Sequence, residues 1–174
     1  MTILVMRIRV ALTVLILFFA GVPTALAEPL PGPPSREAQL NDVKDKLKTD
    51  KDQAWFYSGY FNDGVRAGAV ANTWANYYKG YTLNSKLDHE HIPPPQTDPG
   101  WREYSGYFAE GARGKARVVL GDKYDPKGVW MTVELVELKK NHDIGSVWKV
   151  YRSTGKDDCL IWPQVELPVE KCYM

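Results

Sequence analysis

Three groups of side chains in this sequence could carry chemistry. The run Asp88-His89-Glu90-His91 has a His-x-His spacing that, on a strand, turns both imidazoles to one side. With Asp88 or His142 it would offer nitrogen and oxygen ligands of the kind zinc takes. Pro93, Pro94 and Pro95 follow at once, so the run reads as a polar loop, and no metal is expected. The carboxylates Glu103, Glu110 and Glu134 are the second group, because paired carboxyl groups drive glycoside hydrolysis. Nothing in their spacing brings two of them together. No Ser nucleophile elbow, phosphate loop or dinucleotide-binding glycine pattern occurs either. No catalytic residue and no cofactor is therefore assigned, and the expectation leans away from an enzyme.

Cys159 and Cys172 form the third group. Neither has a neighbouring His or Gly-rich turn that would activate a thiolate. In an oxidising compartment two cysteines so close in sequence most simply form one disulfide, worth on the order of 3 kcal/mol and pinning the tail from Pro163 to Met174.

A pattern of another kind is the segment Tyr57-Ser58-Gly59-Tyr60-Phe61-Asn62-Asp63-Gly64-Val65-Arg66. It recurs as Tyr104-Ser105-Gly106-Tyr107-Phe108-Ala109-Glu110-Gly111-Ala112-Arg113. Aromatic faces suit sugar rings and protein hot spots, where Tyr, Trp and Arg are enriched. The candidate binding residues are accordingly Tyr57, Tyr60, Phe61, Arg66, Tyr104, Tyr107, Phe108 and Arg113. The competing reading is a core-packing motif used twice. For the first copy a helix is expected, because Ala67 to Tyr78 continues with helical spacing; for the second, a turn leading into Ala116–Leu120.

The elements that would position these residues follow from periodicity. Arg7 and Arg9, the apolar run Val10–Ala20 and the motif Ala25-Leu26-Ala27 read as a secretory signal peptide over residues 1–27, cleaved near Ala27. Residues 28–35 form a Pro-rich leader, and residues 36–174 a single globular domain. The chain carries 22 basic and 21 acidic side chains, and losing Arg7 and Arg9 leaves a mixed-sign surface near neutrality. That argues against nucleic acid as a partner. No later run is apolar enough for a membrane span. No N-x-S/T sequon occurs, which favours a bacterial periplasmic or secreted protein.

Arg36 to Lys48 is predicted helical, with Leu40, Val43 and Leu47 on one face and Asp42 paired to Lys46 on the other. Val129, Met131, Val133 and Leu135 alternate with Trp130, Thr132 and Glu134, the period of a strand. Ser146–Arg152 completes a hairpin with it, Ala116–Leu120 precedes it, and Leu160–Trp162 adds an edge. The expected class is α+β: a helical N-terminal half packed on a three- to four-stranded antiparallel meander.

With its Val147-Trp148-Lys149-Val150 strand, the stretch from Ala116 to Arg152 resembles small exported domains of the NTF2-like, cystatin-like class. The resemblance implies a helix packed on a curved antiparallel sheet, and it covers enzymes and non-catalytic modules alike. The functional expectation is an exported non-enzymatic binding protein engaging a protein or cell-envelope glycan, as an inhibitor, immunity protein or envelope assembly factor. The alternatives are a small exported hydrolase of envelope polymers and a structural subunit of a secretion or conjugation apparatus.

Overall fold

The computed structural model describes residues 34–163. The expected signal peptide (1–27), nearly all of the Pro-rich leader and Cys172 lie outside the described residues, and the Cys159–Cys172 pairing with them. Among the described residues no helix is long and apolar enough to cross a membrane.

The elements run in the order α1 (Arg36–Lys46), β1 (Trp55–Ser58), α2 (Ala67–Tyr77), α3 (Leu83–His89), α4 (Asp98–Glu110) and β2 (Gly114–Leu120). A π-helical turn (Trp130–Glu134) follows, then α5 (Leu135–Lys140), β3 (Ile144–Val150) and β4 (Asp157–Trp162). The class is α+β, as expected. The sheet order is β1-β2-β3-β4, with Tyr57 opposite Val119, Arg117 opposite Trp148 and Lys149 opposite Cys159. β1, β2 and β3 run parallel, and only β3 and β4 pair antiparallel, so the expected antiparallel meander is corrected to a mixed sheet.

One segment accounts for the parallel pairing of β2 with β3. Val129–Leu135 is helical, not a strand. From Trp130 through α5 the deeply buried residues are Trp130, Glu134, Leu135 and Leu138, a helical spacing, while Met131 and Val133 are only partly buried. A helix between β2 and β3 is a crossover, and a crossover delivers the next strand parallel. The strand expected at Ser146–Arg152 is present as β3, but its hairpin partner is β4.

Both copies of the repeat also differ from expectation. The first copy begins as strand β1 and turns at Asn62-Asp63-Gly64, where Gly64 has φ +83° and Asp63 Oδ1 accepts from Val65 N–H at 3.1 Å. In the second, Tyr104–Glu110 lie within α4, which Thr97 caps through its hydroxyl and Pro99 opens in the first turn, and Gly111–Arg113 lead from it into β2. Identical residues thus serve a strand in one place and a helix in the other, because pairing with β2 decides the first and capping chemistry the second.

The sheet is covered on both faces. Trp55, Val119 and Val150 pack against Ala67, Ala71 and Ala75, the small-residue face that lets α2 lie close to the strands. On the opposite face Phe56, Val118 and Val147 join Leu87, Phe108, Trp130, Leu135 and Leu138 from α3, α4, the π-helical turn and α5. Asn141 ties this layer together: its Nδ2 donates to the carbonyls of Ala109, Glu110 and Ala112 at 3.1, 2.9 and 2.8 Å, where α4 ends.

Candidate functional site

A pocket of about 180 Å³ lies beside β1, between that strand, the start of α3, α4 and the π-helical turn. Its walls are largely aromatic and aliphatic, and Ser105 and Glu134 bring polar groups into them. The α4 contribution follows from helical geometry. Trp101, Ser105 and Phe108 stand at i, i+4 and i+7, so one face of the helix presents an indole, a hydroxyl and a phenyl ring together. Phe56 fixes the floor, with ring centroids 5.2 Å from Phe108 and 5.8 Å from Trp130.

Glu134 enters because the π-helical turn is wider than an α-turn. The N–H of Leu135 bonds back to Trp130 O, five residues earlier, and Glu134 is left on the buried side of the segment. The residue is 8 % exposed, and no Lys, Arg or His among the described residues forms an ion pair with it. Desolvation pushes its pKa from the usual 4.5 up to about 8, against the smaller opposing pull of a hydrogen bond from Ser105. Burial likewise raises the Tyr57 phenol, with the charge of Glu134 as the second cause, so Tyr57 stays a neutral donor. The arrangement is a carboxyl group poised near neutrality in an aromatic recess.

A second cleft, of about 520 Å³, adjoins this pocket and shares Tyr57 and Val129 with it. Tyr60, Arg66, Asn72 and Asn84 also line it. Two close approaches shape this side. Gly68 leaves room for the Tyr57 ring, which would stand 2.9 Å from a Cβ there, and Gly59 turns the chain out of β1 at φ +79°.

The residues singled out in the sequence are dispersed over the molecule. Tyr57, Tyr60 and Arg66 share the larger cleft, and Phe108 lines the smaller pocket. Phe61 is buried in the α2 layer with Arg152 stacked over it at 4.1 Å. Tyr104 packs partly against the main core, Tyr107 donates to Glu103 at 3.0 Å beneath Lys44, and Arg113 faces Asp143 at 3.8 Å. Of the three carboxylates considered, Glu110 pairs with Lys44 at the rim of a separate polar cleft beside Asn141, Glu103 accepts from Tyr107, and Glu134 reaches the aromatic pocket. His89 ends α3 exposed beside Tyr81, and Glu90 is bound by Lys86, so the run expected to be a loop is a helix end.

No protein-family model matches the sequence, and no curated protein does. Among solved structures, one similar chain is Aplysia cyclase complexed with substrate NGD and product cGDPR. It has a TM-score of 0.45 and 18% identity, over 64% of this chain and 55% of that one. Another is ADP ribosyl cyclase complexed with N1-cIDPR, at 0.42 and 17%, over 63% and 54%. The match therefore spans about half the length of those chains. Both of these neighbours are enzymes, a finding against which the expectation of an exported non-enzymatic binding protein is corrected. Sequence spacing left Glu134 without a companion carboxylate; the fold buries it in a pocket, where no cation among the described residues forms an ion pair with it.

Proposed function

We propose that this chain is an enzyme that cleaves an N-glycosidic bond between a ribosyl group and a flat cationic ring of the pyridinium type. The observation that carries the reading is the buried carboxyl of Glu134 in an aromatic pocket, with no ion-paired cation among the described residues. A carboxyl group so placed is costly to ionise alone and is stabilised as a carboxylate by a cation brought to it. The pocket is small for a whole ligand, since ordinary ligand sites run about 300–1,000 Å³, but suits a single ring and part of a sugar. Trp101 and the surrounding aromatics offer π-faces to a cationic ring.

The chemistry follows from that placement. The C–N bond breaks, its electron pair leaves with the ring nitrogen, and the pyridinium departs as a neutral pyridine. Positive charge then develops on the ribosyl C1–O unit, beside the Glu134 carboxylate. Charge that grows in the transition state and meets a preorganised opposite charge in a dry site is the usual largest source of rate enhancement. Water attacks C1 and loses a proton to complete hydrolysis. Ser105 and the neutral Tyr57 phenol orient the carboxylate and the sugar hydroxyls.

The test is incubation of the purified protein with NAD, and with NGD, the substrate named in one of the similar solved structures. Release of the free pyridine is followed by chromatography. Glu134→Gln is expected to lower kcat by roughly 10²–10³-fold while melting stays cooperative. An active wild type whose Glu134→Gln variant keeps full turnover would remove Glu134 from the mechanism, and a wild type inert on both substrates would remove the reading itself.

A further inference from the structure

We propose that Arg66 is the specificity residue of an anion subsite in the adjoining cleft, so that the preferred substrate carries a phosphate on its ribosyl side. The inference deepens the reading above and rests on it for the placement of the ring. Arg66 lines the cleft that shares Tyr57 and Val129 with the Glu134 pocket. It is exposed, stands at the start of α2 and lies 5.8 Å from the Tyr60 ring, which props the guanidinium. Among the described residues no carboxylate forms an ion pair with it, because the acid nearest in sequence, Asp63, is held by Arg152 at 2.7 Å and by Val65 N–H.

The rest of the lining is complementary to an anion. Among the described residues no Asp or Glu lines this cleft. Asn72 accepts a hydrogen bond from the Thr82 hydroxyl on its Oδ1, which assigns its amide NH2 as the remaining donor, and Asn84 adds a second side-chain amide. A planar guanidinium whose fork can donate two parallel hydrogen bonds, with amide donors beside it, matches the several acceptor oxygens of a phosphate. The two cavities together are bipolar: an acid at the ring end and an uncompensated base at the other. A molecule with a cationic ring joined through a ribose to a phosphate has that same polarity.

The experiment compares nicotinamide mononucleotide with nicotinamide riboside, which differ by one phosphate, in the wild type, Arg66→Gln and Arg66→Lys. The expected result is a preference of the wild type for the phosphorylated substrate that falls about tenfold or more in Arg66→Gln, chiefly through KM, with partial recovery in Arg66→Lys. Equal losses on the two substrates, or none, would overturn the proposal. Titration calorimetry with ADP-ribose provides a readout that needs no turnover, with binding expected to weaken about tenfold in Arg66→Gln at unchanged melting temperature. Binding of ADP-ribose that depends on Arg66, in a protein inert on every N-glycoside, would retain the subsite and reject the reaction. ADP-ribose binding that is absent or indifferent to Arg66 would reject the subsite even if the enzyme is active.

Discussion

At the scale of the residue, the site turns on one proton. Glu134 in the free protein holds its proton up to about pH 8, because burial disfavours the carboxylate more than the Ser105 hydrogen bond favours it. A permanently charged ring placed against it favours the carboxylate, so binding and ionisation are linked. Binding of N-methylnicotinamide, a cation, at pH 7 is therefore expected to release close to one proton per ligand, while neutral nicotinamide releases none. Titration calorimetry in two buffers of different ionisation heat measures the difference directly. Identical proton release for the two ligands, or release that survives Glu134→Gln, would show that Glu134 does not face the ring. The same linkage sets the rate profiles. kcat/KM, which reports the free enzyme, should rise toward pH 8, and kcat, which reports the complex, should reach its plateau at lower pH.

The elements determine whether that proton is correctly placed. α4 carries Trp101, Ser105 and Phe108, and its C-terminal carbonyls are held by the single amide of Asn141 at the entrance to β3. Asn141→Ala leaves three carbonyls without that donor and should cost about 2–3 kcal/mol, read as a lower urea midpoint at unchanged slope. A loss within about 0.5 kcal/mol would mean water replaces the amide at no penalty. How far these elements can be read from sequence depends on which interaction decides them. α1 is legible, with Asp42 and Lys46 paired at 2.7 Å and Leu47 buried, because a helical face and an i,i+4 pair are local. The segments of β2, β3 and β4 are legible through their β-branched and aromatic content. Val129–Leu135 is not, because its apolar alternation fits a strand while the tertiary core buries Trp130 and Glu134 through a π-helical turn. That one segment also fixes the direction of pairing and brings Glu134 into the pocket, so strand polarity and site were lost together. The α4 face could have been found, since Thr97 and Pro99 announce a helix and Trp101, Ser105 and Phe108 then fall in line.

At the scale of the whole molecule, the same carboxyl works against the fold it serves. An unfolded chain titrates Glu134 near 4.5 and the folded one near 8, so the native state binds the proton more tightly across that window. The sign follows: the contribution of this group to stability is complete below about pH 4.5, declines as pH rises toward 8, and stays lost above it. The difference corresponds to something on the order of 5 kcal/mol, a large share of the 5–15 kcal/mol that holds a domain together. Glu134→Gln keeps the shape and the Ser105 contact while removing the titration. It should therefore be more stable than the wild type by about 3–5 kcal/mol at pH 8, with the gain shrinking to nothing near pH 4.5. Urea unfolding of the two proteins at several pH values measures this directly. A gain that does not vary with pH would assign the effect to packing, and no gain at pH 8 would mean that Glu134 is ionised and solvated in the native protein. A stabilised but inactive variant is the pattern expected of a carboxyl kept in an unfavourable place for its chemistry, and a merely structural carboxyl would give the opposite sign.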